Sequence, residues 1–155
     1  MKRYMKDSMI RKLCLDDVPL IINYLKDERF DCCEFNDFWS IDELKEWIIR
    51  SEEICVGCFV DGTLVGFCLS HYSKAINKVY LENIFVDVDY RGRGFATLMV
   101  SKVLEMYGER NQGKMLRFVA LVEESNSPAI STLKKEGFNV GDKMLWIQKN
   151  IKFEV

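Results

Sequence analysis

The stretch VDVDYRGRGFATLMV, residues 86–100, places two glycines and two arginines between a strand-like apolar run and a helix-like run. A helix start leaves several backbone N–H groups unpaired, and the helix dipole adds roughly half a positive charge there. Gly92 and Gly94 lack a Cβ atom, so an anion can approach the backbone closely. Arg91 and Arg93 add positive charge and forked hydrogen-bond donors. The stretch therefore predicts an anion-binding loop, for which a diphosphate is the natural ligand.

Two other glycine-loop motifs do not fit these residues. The phosphate-binding P-loop needs the string G-x-x-x-x-G-K-[ST], which the sequence lacks. A dinucleotide fingerprint needs glycine or alanine three residues after Gly94, but Thr97 stands there and the flanking elements are in the wrong order. A glycine-rich turn that caps a helix, with both arginines solvated, remains a second interpretation.

The chain on both sides of this loop alternates between strand-like and helix-like segments. Apolar periodicity and turn residues predict strands at residues 9–15, 54–60, 63–72, 78–88, 115–122 and 144–153. Helices are predicted at residues 16–30, 40–50, 94–107 and 126–136. Asp61-Gly62 accepts positive φ at both positions and predicts a tight hairpin. This order indicates a mixed α/β domain with an antiparallel first half and one parallel crossover.

The second predicted helix has a clear start and a clear apolar face. Ser40 and Glu43 form a capping-box pattern, in which each side chain bonds the backbone N–H of the other residue. Helical spacing predicts a buried stripe formed by Ile41, Leu44 and Ile48.

The composition narrows the class of protein. The chain has 155 residues, a net charge of −2 and a pI of about 5.5. That length suits one domain with a real core, and the absence of a basic stripe argues against nucleic acid as the main partner. No uncharged apolar run approaches the ~20 residues that span a bilayer, and the start lacks a signal-peptide pattern. We therefore expect a cytoplasmic protein with no membrane partner.

Six cysteines are expected to be free thiols in a reducing compartment: Cys14, Cys32, Cys33, Cys55, Cys58 and Cys68. The pair in CVGC has metal-ligand spacing, but zinc needs two further ligands and His71 is the only histidine. Odd spacing in a strand also points the two thiols to opposite faces. We expect core packing and no metal site, and we interpret His71, at a strand end, as a structural residue.

Two motifs carry a resemblance to a known family. The stretch that contains the glycine loop resembles motif A of the GCN5-related N-acetyltransferases (GNAT), whose pattern Arg/Gln-x-x-Gly-x-Gly/Ala is filled by Arg91, Gly94 and Ala96. The stretch NSPAISTLKKEGF resembles the downstream motif, with matches at Asn126, Ala129, Lys135, Gly137 and Phe138. The resemblance covers nearly the whole chain. It implies one acetyltransferase domain over residues 1–155, with a mixed, mostly antiparallel sheet of six to seven strands flanked by about four helices.

The resemblance also implies a co-substrate, acetyl-CoA, and no metal. It assigns the pyrophosphate to the backbone of the loop, at Arg91, Gly92, Arg93, Gly94, Phe95 and Ala96. It assigns the pantetheine amides to the end of the preceding strand, at Ile84, Phe85 and Val86. Asn126 would lie near the pantetheine arm, although helix capping explains this residue equally well.

Glu82 lies within the strand-like run VYLENIFV, where a carboxylate among apolar neighbours is unexpected. Desolvation would raise its pKa towards a value useful to a general base. The local string resembles the corresponding strand of diamine (spermidine/spermine) acetyltransferases, whose glutamate handles the amine proton. Strand alternation puts Tyr80, Glu82 and Ile84 on one face and leaves open whether that face is solvated.

One feature departs from the family pattern. Many family members carry a tyrosine in the downstream helix that protonates the departing thiolate, and Leu133 occupies the matching position. Leucine donates no proton, but a thiol with a pKa near ~8.5 is a fair leaving group without an acid.

The acceptor is predicted from the segment KDERFDCCEFNDFWSIDE, residues 26–43, which mixes carboxylates with aromatic rings. Such a surface suits a cationic amine, and a solvated helix end is the competing interpretation. We expect a primary amine of a small polyamine-like or amino-acid-like molecule. The alternatives are a protein N-terminus or lysine as acceptor, and a non-catalytic CoA-binding domain. A homodimer is compatible with the resemblance.

Overall fold

The computed structural model describes residues 7–25 and 40–143, together with residues 145, 147, 149 and 151–153. The described strands are β1 (Ser8–Lys12), β2 (Val56–Val60), β3 (Thr63–Ser73), β4 (Lys78–Val86) and β5 (Arg117–Ala120). The described helices are α1 (Val18–Leu25), α2 (Ile41–Ile49), α3 (Phe95–Arg110) and α4 (Ser127–Lys135).

The five strands form one sheet in the order β1-β2-β3-β4-β5. Strands β1 to β4 pair antiparallel, and β5 pairs parallel to β4 after the crossover through α3. Asp61 and Gly62 both have positive φ, 49° and 77°, and they close the tight hairpin between β2 and β3. The mixed, mostly antiparallel architecture is confirmed.

Each face of the sheet buries its own apolar cluster. On one face, α1 and α2 pack over residues that include Phe67, Leu69 and Phe85. On the other face, α3 packs over residues that include Cys68 and Leu81. Because successive side chains of a strand point to opposite faces, the alternation along β3 builds both clusters at once.

The capping box of α2 is confirmed, but its predicted stripe is only partly buried. Glu43 N–H donates to Ser40 Oγ over 3.2 Å, and Ser40 N–H donates to Glu43 Oε2 over 3.0 Å. Leu44 and Ile48 are buried, whereas Ile41, at the first position of the helix, is 46% exposed. Apolar periodicity predicts which face of a helix points towards the core. Whether a residue on that face is buried also depends on how far the neighbouring elements extend over it.

The prediction of a last strand at residues 144–153 was wrong for the residues that can be compared. None of the described residues from 145 to 153 lies in a strand, and Leu145 and Ile147 are each 89% exposed. The described sheet therefore has five strands instead of six to seven. A strand forms only where a neighbour pairs with its backbone, and alternating apolar residues do not supply that neighbour.

A buried hydrogen-bond network ties α3 to the sheet. Ser70 Oγ donates to Ile54 O over 2.5 Å, so the bond of 2.8 Å between Ser70 Oγ and Tyr107 Oη has the tyrosine as donor. Tyr107 Oη also accepts from Ile54 N–H over 3.2 Å, and burial raises the pKa of Tyr107 to about 12.

We expect Tyr107→Phe to lower the free energy of unfolding by about 1–3 kcal/mol, because the buried N–H of Ile54 loses its acceptor. Urea denaturation followed by circular dichroism would measure the change. Tyr72→Phe is the matched control, since its hydroxyl bonds Asn77 at an exposed position and its loss should cost less than about 0.5 kcal/mol. Equal losses in the two variants would contradict the network's role.

Candidate active site

The two parallel strands of the sheet, β4 and β5, stop pairing about halfway along β4. Their pairing runs from Lys78↔Arg117 to Leu81↔Ala120, where β5 ends. Strand β4 continues to Val86 and stays paired with β3 on its other side. The last part of β4 therefore extends beyond the end of β5, and an extended ligand can pair with a strand edge that has no neighbouring strand. This part contains Ile84, Phe85 and Val86.

A β-bulge places Glu82 at the point of separation. Leu69 pairs with Asn83, but the next residue of β3, Ser70, pairs with Leu81. Glu82 is thus the extra residue of β4, one position beyond the last pair with β5. Bulges re-aim side chains and interrupt pairing, and they are over-represented beside active sites.

The bulge overturns the expectation that Tyr80, Glu82 and Ile84 share one face. Tyr80 pairs with His71, and Ile84 pairs with Cys68. Since His71 and Cys68 are three residues apart in β3, they point to opposite faces, and so do Tyr80 and Ile84. Ile84 packs against the α3 cluster accordingly. One inserted residue breaks the alternation of side chains between the two faces of β4. The amino-acid sequence of the strand does not indicate this insertion.

Glu82 is exposed at the sheet surface but partly enclosed by neighbouring groups. Desolvation raises its pKa above the ordinary value for glutamate. A nearby positive charge on His71 offsets part of this rise, and the carboxylate of Glu53 adds to it. The environment thus shifts Glu82 in the direction that improves a general base operating near neutral pH.

The glycine loop has the backbone geometry that an anion site needs. Gly92 and Gly94 have φ values of +74° and +84°, in the left-handed region. Gly94 is the N-cap of α3 and no side chain caps the helix, so the first-turn N–H groups remain available to a ligand. A Cβ atom built at either glycine meets nothing within 4 Å. The space in front of the backbone is open.

Both arginines of the loop bond its backbone. Arg91 Nε donates to Val86 O over 2.8 Å, which ties the loop to the end of β4. Arg93 donates to Asp89 O over 3.0 Å, and its guanidinium lies 5.2 Å from the centre of the Tyr90 ring. The sequence predicts these side chains as anion donors. The structure shows that both side chains also brace the backbone around the loop.

The other predicted cofactor residues differ in what they can offer. Phe95 is 3% exposed and packs in the α3 cluster, so only its backbone can face a ligand. Ala96 follows it in the first turn of α3. Asn126 caps α4, because its side chain accepts from Ala129 N–H over 3.2 Å, as the capping interpretation predicts. Leu133 is buried at 6% exposure in the α3 cluster.

Helix α4 also carries a shallow open cleft of about 570 Å³ that the sequence does not single out. It is lined by Ser127, Ile130, Ser131, Lys134 and Lys135. Lys134 and Lys135 lie about one helical turn from Ser131 and give this surface a positive, hydrogen-bonding character. Helix α4 packs on α3, the helix that begins at the glycine loop.

The CVGC cysteines lie on opposite faces of the sheet, as predicted. Cys55 lies in the cluster under α1 and α2, and Cys58 lies in the cluster under α3. Burial raises the pKa of Cys55 to about 12 and that of Cys58 to about 11. Among the described residues, no group of three metal-ligating side chains comes together. Cys32 and Cys33 lie outside the described residues.

We expect the buried thiols to be chemically inert in the folded chain. In a variant with Cys14, Cys32 and Cys33 replaced by serine, Cys55, Cys58 and Cys68 should react with a thiol reagent at least ~100-fold more slowly than free cysteine. Unfolding in guanidinium is the control and should restore the ordinary rate. Rapid labelling of Cys58 in the native chain would contradict the packing role.

The predicted acceptor segment lies mostly outside the described residues, which resume at residue 40. Of its carboxylates, Asp42 and Glu43 are described; both are exposed in the first turn of α2, and Glu43 is engaged in the capping box. In the described part of the chain, no helix has the length and apolar character needed to cross a membrane.

The fold thus joins three features: β4 extends past the end of its parallel neighbour β5, the glycine loop leads into α3, and the bulge residue Glu82 lies where the pairing of β4 with β5 ends. The model of the "Acetyltransferase (GNAT) family" matches residues 20–138. The chain therefore belongs to the GNAT family.

Similar proteins agree with this family. An uncharacterised N-acetyltransferase of Methanocaldococcus jannaschii is 33% identical over 99 residues, which are 60% of this chain and 42% of that protein. The chain thus spans less than half of that relative's length.

Solved structures share the fold. The PaiA N-acetyltransferase of Thermoplasma acidophilum, in complex with coenzyme A, has a TM-score of 0.75 at 21% identity, over 88% of this chain and 92% of that one. An aminoglycoside acetyltransferase from an uncultured soil metagenomic sample, in complex with sisomicin, has a TM-score of 0.75 at 12% identity, over 97% and 100%. The ribosomal-protein-S18-alanine N-acetyltransferase of Escherichia coli has a TM-score of 0.68 at 18% identity, over 87% and 79%.

Proposed function

We propose that this protein is an acetyl-CoA-dependent N-acetyltransferase that moves an acetyl group from the CoA thioester to a primary amine of a small molecule. One observation carries the proposal: β4 continues past the end of β5 and leads directly into an open, left-handed glycine loop at the start of α3. Such a site accepts an extended amide-bearing arm that ends in a diphosphate.

Coenzyme A has that shape. Its pantetheine amides would lie along the last part of β4, at Ile84, Phe85 and Val86, like an added strand. Its pyrophosphate would be held by backbone N–H groups between Gly92 and Ala96, with the helix dipole contributing favourably. The brace from Arg91 to Val86 O supports this arrangement, because it fixes the loop relative to the strand.

The reaction needs a neutral amine, whereas an alkyl ammonium titrates near ~10.4. Glu82 removes a proton from the ammonium, directly or through water, and the amine nitrogen attacks the thioester carbonyl carbon. The C–N bond forms and the C–S bond breaks. The nitrogen of the new amide loses its extra proton to solvent, and solvent protonates the departing CoA thiolate. Leu133 supplies no acid, which a leaving group with a pKa near ~8.5 tolerates.

The acceptor class is a small cationic amine, polyamine-like or amino-acid-like. Support comes from the acidic and aromatic composition of residues 26–43 and from a structural neighbour whose complex holds the aminoglycoside sisomicin. A protein α-amine is the second candidate, because another neighbour acts on a ribosomal protein's alanine. A non-catalytic CoA-binding domain is the third, and Leu133 is its main support.

A panel of polyamines, amino acids, aminoglycosides and peptides, assayed by release of the CoA thiol, tests the proposal. Turnover with small amines supports it, and turnover with peptides alone favours the protein acceptor. Strong thermal stabilisation by acetyl-CoA without any turnover would favour the non-catalytic domain. Absence of both turnover and stabilisation would refute the CoA site itself.

A further inference from the structure

A buried carboxylate contacts β3, the strand that pairs with β4 and its bulge at Glu82. Glu53, just before β2, is 4% exposed. Its Oε2 accepts from Tyr72 N–H over 2.7 Å, and its Oε1 lies 2.8 Å from His71 Nδ1. A buried carboxylate is tolerable when it is hydrogen-bonded and paired. Since a carboxylate only accepts, His71 must carry its proton on Nδ1, which leaves Nε2 as the nitrogen that can accept or release another.

Aromatic rings hold the imidazole in place. The Tyr80 ring stacks on it at 6.2 Å between centroids, and the Trp47 ring meets it edge-on at 5.5 Å. Trp47 is itself fixed by donating to Ser70 O over 2.6 Å. The His71 side chain is nevertheless 38% exposed, so the ring is oriented but reaches solvent.

The bulge brings this pair close to the predicted base. His71 lies opposite Tyr80, and Glu82 follows two residues later on β4. The charges of both His71 and Glu53 act on Glu82. Among the described residues, the titratable groups around the imidazole are Glu53 before β2 and Tyr80 and Glu82 on β4. Lys78 Nζ lies 5.7 Å from the Tyr80 ring centre, and α2 contributes the indole of Trp47.

We propose that His71, oriented by Glu53, is a proton relay between Glu82 and solvent. It takes from Glu82 the proton removed from the acceptor amine and releases that proton to water. This inference rests on the proposed function. It also replaces the purely structural role that the sequence indicates for His71.

The steps balance. The ammonium loses one proton to the Glu82 carboxylate and becomes the attacking amine. The Glu82 carboxyl then passes that proton to Nε2 of His71, and the imidazolium is stabilised by the Glu53 carboxylate. Release of the Nε2 proton to water returns both groups to their starting state. No redox partner or metal is needed, and Glu82 is again a base before the next acceptor binds.

The first test uses the resting protein and needs no turnover. Because His71 is the only histidine, its imidazole ¹⁵N signals are identified without assignment experiments. We expect the neutral ring to carry its proton on Nδ1. We also expect the Nε2 signal to shift in Glu82→Gln, since loss of the Glu82 charge changes the electrostatic environment of that nitrogen. Glu105→Gln, at an exposed position of α3, should leave the signal unchanged. A proton on Nε2, or identical Nε2 signals in Glu82→Gln and wild type, would overturn the proposal.

The second test separates proton transfer from structure. In His71→Asn the side-chain amide can still donate to Glu53, but no nitrogen can titrate at the Nε2 position. We expect kcat for an alkyl amine to fall at least about tenfold, with little change for hydroxylamine, which is neutral at pH 7. Added imidazole should restore part of the loss, and KM for acetyl-CoA should stay unchanged.

The kinetic results distinguish a role of His71 in proton transfer from a structural role. Equal losses with both acceptors, together with a lower melting temperature, would mean a structural role and refute the path. Wild-type kcat in His71→Asn with the alkyl amine would refute it as well. Absence of turnover in the wild-type chain would instead refute the proposed function, and the ¹⁵N signals would still decide whether His71 and Glu82 interact.

Discussion

Glu82→Gln is expected to lower kcat for an alkyl amine by about 10²–10⁴-fold, the usual contribution of a general base. The amide cannot accept the ammonium proton, while its size and its place in the bulge are unchanged. The loss should be much smaller for an acceptor with an α-amine, whose pKa of ~7.7–8.0 leaves a useful neutral fraction. Steady-state kinetics with matched acceptors at saturating acetyl-CoA would measure both numbers.

The pH dependence has a definite sign. Burial raises the pKa of Glu82 in the folded chain, so the basic form appears only above a pH higher than an ordinary glutamate would require. Wild-type activity should rise through that pKa. In Glu82→Gln this limb should vanish, and the remaining activity should increase only with the acceptor's own ionisation.

The stability of the same variant provides a second check. For a carboxyl group whose folded pKa is raised, stability is fully present below the unfolded pKa and is lost as pH rises through the folded pKa. At neutral pH the ionised Glu82 therefore opposes folding, and Glu82→Gln should be at least as stable as wild type. Glu105→Gln, on the exposed face of α3, serves as the control and should leave kcat unchanged. A wild-type rate in Glu82→Gln would exclude this residue as the base.

Gly94→Ala is expected to weaken coenzyme A binding by about 10–100-fold. Gly94 has a φ of +84° at the N-cap of α3, so an added Cβ strains the backbone and enters the open space in front of the loop. Loss of one or more hydrogen bonds to a charged phosphate costs about 1.5–3 kcal/mol each, which corresponds to that range of affinity. Isothermal titration calorimetry would give the dissociation constant directly.

The matched control for this substitution is Gly113→Ala. Gly113 has a φ of +78° and open surroundings, but it lies in the turn after α3, at the opposite end of the helix. Both variants should lose about 1–2 kcal/mol of stability from backbone strain. Only Gly94→Ala should lose affinity and the thermal shift that coenzyme A gives. An equal affinity in the two variants would place the diphosphate elsewhere.

These two sites depend on each other through one short connection. Val86 ends β4, and its carbonyl receives the Arg91 side chain from the loop. A cofactor held by its pyrophosphate at Gly94 and by its amides along β4 would place its thioester towards the bulge at Glu82. The same strand would therefore position the acyl donor and the base, which is the proximity effect that a two-substrate transfer requires.

Local chemistry was enough to predict a large part of this protein. The left-handed conformations at Gly92 and Gly94, the Asp61-Gly62 hairpin and the Ser40–Glu43 capping box follow from residues within a few positions of one another. Most of the helices and strands follow in the same way from apolar periodicity, because that period is a property of the segment itself. The family could be inferred from the sequence because its motif A is a short, contiguous stretch that forms a loop by itself.

Tertiary structure alone decided what surrounds Glu82. The bulge depends on the register between β3 and β4, and the opening of the sheet depends on where β5 stops pairing. The partner of His71 is Glu53, 18 positions away in the sequence, and the acceptor for Ile54 N–H is Tyr107, 53 positions away. Such contacts join segments whose separation the fold sets, so no local pattern records them. The sequence by itself determined the glycine loop and the element order, whereas chain packing determined which groups surround Glu82.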